Sequence, residues 1–262
     1  MDTRPIGIFD SGVGGLTVYK EIRNFFPSEN IVYLADSKNF PYGNKSKAEI
    51  ISIVKNNIEF LISKNVKAII IACGTATTLA LDSVKDLYNI PILGIIEPTA
   101  LYFSSKSNIK TIGVIATKGS INSNVWANSI SKYNSKFTIL NQACPLLAPL
   151  AEEGKISESF TKNTIHEYMS NLHNVDALIL GCTHYPLFTN ILKGEVLEKT
   201  EIINPGTILA KYLKDFFNSN LLNSNINLGN LRIFLTNSNN KFSIVAEKLL
   251  KEPIPNIQIV SF

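Results

Sequence analysis

One phrase occurs twice in this chain, and it constrains the fold more than any other feature. Val66-Lys67-Ala68-Ile69-Ile70-Ile71-Ala72-Cys73-Gly74-Thr75 returns as Val175-Asp176-Ala177-Leu178-Ile179-Leu180-Gly181-Cys182-Thr183-His184. A continuous apolar run bounded by small residues reads as a strand buried on both faces of a parallel sheet. Ligands of such sheets bind beyond the carboxyl ends of the strands. Cys73 and Cys182 both fall there, 109 residues apart.

Other landmarks repeat at nearly the same distance. Ile112, Gly113 and Thr117 stand 106 residues after Ile6, Gly7 and Ser11, and Pro205 stands 107 after Pro98. A near-constant offset predicts a duplicated α/β unit, against the alternative that short apolar runs resemble each other by chance. The expected fold is α/β, with two pseudo-symmetric, doubly wound domains, mainly parallel sheets and a site between them. The expected boundaries are 1–97 plus 207–262 for the first domain and 98–206 for the second.

Between these landmarks the pattern alternates strand and helix. Helices are expected over 16–26, 47–64, 75–88, 147–153, 159–172, 207–217 and 241–250. In the 47–64 helix, Ile50, Val54, Ile58 and Leu61 mark one face. In the 75–88 helix, Leu79, Val84 and Leu87 are the inward candidates. The polar, Asn-rich stretch 218–230 reads as a loop, and the last strand–helix–strand returns to the first unit.

Composition narrows the function. Hydrophobic residues make up 45% and charged ones 18%, which permits a sizeable core. The formal net charge of +4 comes without a Lys/Arg cluster along any helix, which argues for solubility rather than nucleic-acid binding. No apolar stretch approaches the roughly 20 residues of a membrane span, and no signal-peptide core precedes the first strand. Three cysteines without framework spacing argue against a disulfide-built secreted protein and fit a reducing cytoplasm.

Asp10-Ser11-Gly12-Val13-Gly14-Gly15 follows the first strand. It lacks the ending of a P-loop, and Thr17 occupies the place of a dinucleotide fingerprint's third glycine. An acid in such a loop suits a cationic group such as an ammonium. Pro41-Tyr42-Gly43 lies in another loop, where Tyr42 is either a binding wall or loop packing. Glu152 and Glu153 end a short helix, and their spacing alone reads as a solvated pair. Cys144 reads as structural, and His166 and His173 as surface or packing residues. Metal binding fits poorly, because Cys73 has no nearby Cys or His.

A cysteine beside glycine at a strand end is often a small core residue. Two of them at equivalent points of two repeats suggest another use. Thiols facing one cavity from opposite sides suit stereoinversion, with one group removing a proton and the other delivering one. Such a base needs a lowered pKa at neutral pH, which a helix N-terminus after each strand would favour.

Ile6 to Gly15 (IGIFDSGVGG), Pro41-Tyr42-Gly43, the strand ending in Cys73, Pro149-Leu150-Ala151-Glu152-Glu153-Gly154 and Gly181-Cys182-Thr183-His184-Tyr185-Pro186-Leu187 together resemble the glutamate racemase family. The resemblance spans essentially the whole chain. It implies cofactor-independent racemisation of glutamate for peptidoglycan synthesis, in a cytoplasmic homodimer with no metal. It makes Cys73 and Cys182 the acid/base thiols, the first acting on the D-isomer and the second on the L-isomer. Asp10 and His184 assist, with Glu152 behind His184. Ser11, Tyr42, Gly43, Thr75, Thr117 and Thr183 hold the substrate, and Pro41 and Gly74 complete the set. Two other functions stay open: racemisation of another amino acid such as aspartate, or a weakly active homologue with a binding or regulatory role. One departure stands out, since the family typically has Asn where this chain has Gly74. Asn restored at 74 is expected to return a substrate hydrogen bond of about 1.5–3 kcal/mol.

Overall fold

The computed structural model describes residues 2–217, 222, 227–238 and 240–262. The chain alternates strand and helix from its start. β1 (Ile6–Asp10), α1 (Leu16–Phe25), β2 (Ile31–Ala35), α2 (Lys47–Ser63), β3 (Ala68–Ile71), α3 (Gly74–Val84) and β4 (Ile92–Gly94) come first. α4 (Ile96–Phe103) leads to β5 (Thr111–Ala116), α5 (Lys118–Asn122), α6 (Val125–Tyr133), β6 (Thr138–Ala143), α7 (Leu147–Glu152) and α8 (Ser159–Met169). β7 (Ala177–Leu180), α9 (Thr189–Glu195), β8 (Glu201–Ile203), α10 (Pro205–Phe216), β9 (Leu231–Leu235), α11 (Asn240–Leu250) and β10 (Ile257–Ile259) follow.

The strands form two parallel sheets, ordered β10-β9-β2-β1-β3-β4 and β6-β5-β7-β8. The run β2-β1-β3-β4 has the same arrangement as β6-β5-β7-β8. The registers agree as well: Ile6 pairs with Ala68 in one sheet and Ile112 with Ala177 in the other. Gly7 and Gly113 hold matching places, a Cβ on the first meeting Leu61 and Val66 and on the second Leu172 and Val175. The last strands extend the first sheet, β9 pairing with β2 and β10 with β9.

One continuous core joins the two sheets. Ile6, Ile8 and Ile70 of the first belong to the same cluster as Ile112, Val114 and Ile179 of the second, with helical residues Leu16, Phe103, Trp126 and Leu209. The outer faces carry separate cores. One is built from Ile50, Val54, Ile58 and Leu61 of α2, and the other from Ile165 and Met169 of α8 with Leu192 of α9. Side chains fix several helix starts. Ser46 and Glu49 form a reciprocal capping box on α2, Thr117 caps α5, and Asn204 caps α10 ahead of Pro205. Lys67, the one charge inside the first apolar phrase, lies buried against Glu29 at 2.6 Å.

Some elements differ from the sequence reading. α3 ends at Val84, so Leu87 lies beyond it and is exposed, while Leu79, within the helix but off its buried face, is half-buried. α8 stops at Met169 rather than at 172. α5, α6 and α9 have no counterpart in the expectation; α5 and α9 are too short to show helical periodicity, and α6 offers only Trp126 and Ile130 as buried residues. Most of the loop expected over 218–230 lies outside the described residues.

Candidate active site

Cys73 and Cys182 line one cavity at the carboxyl edges of β3 and β7. The elements behind them differ. Cys73 caps the N-terminus of α3, so a helix opens beside its sulfur. After Cys182 the chain makes only a short 3-10 turn, Tyr185–Phe188, instead of the α-helix that the repeat predicts. What stands beside Cys182 is an imidazole: His184 Nδ1 lies 3.5 Å from its sulfur.

His184 is buried, and both ring nitrogens are engaged. Nε2 lies 2.7 Å from Glu152 Oε1, and the same oxygen accepts the Val13 amide at 2.6 Å. Burial alone would strip the proton from this ring. The Cys182 sulfur and the Glu152 carboxylate outweigh it and hold His184 well above the usual imidazole range. Glu152 is therefore not a solvated helix-end acid; α7 delivers it inward to the ring.

Burial pushes the Cys73 thiol up, and the nearby Asp10 carboxylate adds to the rise. The Ala76 amide and Ser11 act the other way, with the sulfur 4.0 Å from Ser11 Oγ. Asp10 is itself buried, which raises its carboxyl above the ordinary range. Its oxygens accept the Gly12 amide at 3.1 Å and the Thr183 hydroxyl at 3.0 Å. The second bond ties the loop after β1 to the loop after β7. Thr17 Oγ1 makes a parallel tie, donating to the Thr183 carbonyl at 2.9 Å.

The glycines of the first loop make room for these groups. A Cβ on Gly12 would lie 1.9 Å from Glu152 Oε1, and one on Gly14 would lie 2.6 Å from His184 Nδ1. The loop that faintly resembles a phosphate cradle is thus filled by a carboxylate and an imidazole.

Ser11, Thr75, Thr117 and Thr183 all face the cavity, and Pro41, Tyr42 and Gly43 form one wall. Thr75 and Thr117 touch each other, hydroxyl to hydroxyl, at 2.8 Å. Tyr42 presents its ring only. Its hydroxyl donates to Asp36 Oδ2 at 2.5 Å and accepts from Asn57 Nδ2 at 2.9 Å. Asp10 and Glu152 stand behind the lining rather than in it. Phe40 and Ala148 line the cavity and escape sequence reasoning, since an apolar side chain carries no chemical signature. The Phe40 ring packs 5.9 Å from that of His184.

Gly74 does not leave a gap for a missing Asn. The carbonyl oxygen of Gly181 occupies the place, 2.4 Å from where a Cβ would lie. The expected benefit of Asn at 74 therefore meets a backbone collision. The remaining cavity is about 20 Å³, room for little more than one water molecule.

The other ionisable candidates lie elsewhere. Cys144 is buried and contacts the Gln142 carbonyl, while His166 and His173 are exposed and bond to Glu195. Among the described residues no group of three His, Cys, Asp or Glu could hold a metal ion, and no helix is long and apolar enough to cross a membrane.

The chain is similar to known proteins over nearly its whole length. A glutamate racemase of Sulfurihydrogenibium is 39% identical over 252 residues, covering 94% of each chain. The crystal structure of Francisella tularensis glutamate racemase in complex with D-glutamate matches with a TM-score of 0.91 at 38% identity, covering 100% of this chain and 98% of that one. A glutamate racemase structure from Bacillus anthracis matches with a TM-score of 0.94 at 33% identity, covering 100% and 99%. The family model for Asp/Glu/Hydantoin racemases matches residues 6–213, and the chain belongs to that family.

Proposed function

We propose that this protein interconverts L- and D-glutamate without a cofactor, using Cys73 and Cys182 as paired acid and base. The observation that carries the reading is the placement of both thiols on one cavity, each at the end of an equivalent strand. The relatives named above are glutamate racemases, and Pro41-Tyr42-Gly43, part of the resemblance to that family, walls the cavity.

Inversion needs a proton removed from one face of Cα and another delivered to the opposite face. Burial keeps Cys73 in its thiol form, ready to deliver. A protonated His184 places positive charge 3.5 Å from the Cys182 sulfur, the atom that carries negative charge as a base. This state removes the α-proton of L-glutamate at Cys182 and protonates the other face from Cys73. The reverse reaction starts with the protons exchanged. Ser11, Thr75, Thr117 and Thr183 supply hydroxyls for the substrate's amino and carboxylate groups, and Asp10 supplies a negative charge nearby. An amino acid does not fit in the present cavity, so the two sheets part to admit it. The product serves peptidoglycan synthesis in the cytoplasm, and the working form is a homodimer.

The test uses L-glutamate in D₂O. Deuterium should enter at Cα while the ellipticity decays to zero, and aspartate should react far more slowly. Cys73→Ser and Cys182→Ser should each slow inversion by at least about 100-fold, the usual range for losing a positioned acid or base. A wild-type protein that inverts no amino acid and incorporates no deuterium ends this reading and favours a binding role.

A further inference from the structure

We propose that Thr17 is a positioning residue, whose hydroxyl reaches across to the Thr183 carbonyl and fixes the peptide that carries His184 beside the Cys182 sulfur. The inference rests on the two-thiol reading above. Thr17 is a buried residue in the first turn of α1, where the sequence shows only that a dinucleotide fingerprint's third glycine is missing. Its hydroxyl lies 2.9 Å from the Thr183 carbonyl oxygen and 2.8 Å from that of Gly14. A hydroxyl has one proton to donate. Here that proton is shared between an acceptor of its own loop and one carried by the loop after β7.

Two backbone bonds shape the stretch 182–187 from within. The Tyr185 amide donates to the Cys182 carbonyl at 3.0 Å, and the Leu187 amide to the His184 carbonyl at 3.2 Å. They set the turn's form, not its place against α1. Thr183 is gripped from the first unit at two points: its hydroxyl donates to Asp10 at 3.0 Å, and its carbonyl accepts from Thr17. With both in place the tilt of the peptide is set; with the Asp10 bond alone the peptide can turn about that contact. A peptide bond is planar, so the Thr183 carbonyl and the His184 amide tilt together, and the ring follows.

The ring's place decides the charge beside the thiol. His184 Nδ1 stands 3.5 Å from the Cys182 sulfur. Titratable groups act on the imidazole from three elements: Cys182 after β7, Glu152 of α7 and Asp10 at the end of β1. Cys182 and Glu152 hold the ring's proton against its burial. Without the Thr17 hydroxyl the ring moves off the sulfur, and a Cys182 thiolate loses the positive charge beside it. Removal of the α-proton of L-glutamate then slows, and His184 gives up its proton at lower pH.

Thr17→Val keeps the shape and deletes the hydroxyl. It should slow inversion of L-glutamate by about tenfold or more, the scale of a misplacement of up to about 1 Å, and move the alkaline limb of the pH profile to lower pH. Thr17→Ser keeps a donor and should match wild type in both respects. Thr200→Val is the control. It deletes another buried hydroxyl, bonded to the Val175 carbonyl at 2.7 Å, at the amino edge of the second sheet, away from the cavity. It should lower stability and leave rate and limb unchanged. Circular dichroism reads inversion across the pH range, and urea unfolding reads stability. If Thr17→Val does not fold, Thr17→Ala is measured in its place; failure of both to fold makes Thr17 a structural residue and overturns the proposal. A Thr17→Val rate equal to wild type overturns it, as does a slowed rate with an unmoved limb, a Thr17→Ser variant as slow as Thr17→Val, or a limb that moves equally in Thr200→Val. An inactive wild type defeats the functional reading instead, so the two failures are distinguishable.

Discussion

The Glu152 carboxylate meets the His184 ring at 2.7 Å, although 32 residues separate them in the chain. This contact helps hold the imidazole protonated above its ordinary range. A raised imidazole pKa stabilises the folded state fully below the unfolded value of about 6.5. That stabilisation is lost as pH climbs through the folded value. Glu152→Gln removes one of the groups that raise it. The stability gap between wild type and variant should therefore be widest just below about pH 6.5 and narrow at higher pH, as urea unfolding at several pH values would show. The alkaline limb of inversion from L-glutamate should also move to lower pH in the variant, each unit corresponding to about 1.4 kcal/mol. An unmoved limb would remove Glu152 from the chemistry.

Asp10 and Thr183 link the two halves through one buried bond. Thr183→Val keeps the shape and deletes the donor. An ionised, buried Asp10 then loses a partner, at a cost of about 1–3 kcal/mol at pH 7. Asp10 already sits above the usual carboxylate range, and without the hydroxyl it rises further. For an acid shifted upward, stability declines as pH rises through the folded value. The penalty of Thr183→Val should therefore shrink at acid pH, where Asp10 takes a proton. A penalty equal at pH 4 and pH 7 would contradict this account.

What could be read from the sequence was whatever repeats or has a period. The apolar runs of β3 and β7 and the offset between Cys73 and Cys182 mark both strand ends in the sequence itself. Contacts set by distant segments left no such trace. Glu152 reads as a solvated acid until α7 turns it onto a ring and onto the Val13 amide, 139 residues away in the chain. A glycine records only that a Cβ is absent, not what fills its place. Gly12 and Gly14 gave only a weak likeness to a phosphate loop and no sign that Glu152 and His184 fill the space beside them, and Gly74 suggested a lost hydrogen bond where the Gly181 carbonyl lies.

Tyr42 walls the cavity, yet its hydroxyl turns away to Asp36 and Asn57. Tyr42→Phe should leave KM for glutamate within about twofold of wild type. Stability should fall by about 1–3 kcal/mol, because the buried Asn57 amide loses an acceptor and Asp36 a donor. Thermal or urea unfolding beside steady-state kinetics separates the two effects. A large rise in KM with unchanged stability would place the hydroxyl on the substrate instead.

Gly14 offers the sharpest separation of the site's charge pair from its thiols. A methyl there would sit 2.6 Å from His184 Nδ1 and 2.7 Å from Cγ and Cε1 of the same ring. The ring is buried and held by Glu152, so it must tilt off Cys182 or off the carboxylate. Gly14→Ala should slow inversion of L-glutamate by about 10–100-fold, the scale of a misplacement near 1 Å. Its alkaline limb should shift to lower pH, as in Glu152→Gln, because the contacts that raise the imidazole are lengthened. Since both changes act through the same ring, the Gly14→Ala/Glu152→Gln double variant should lose less than the product of the single losses. Full multiplicative loss would mean that Gly14 acts on the rate by some route other than His184.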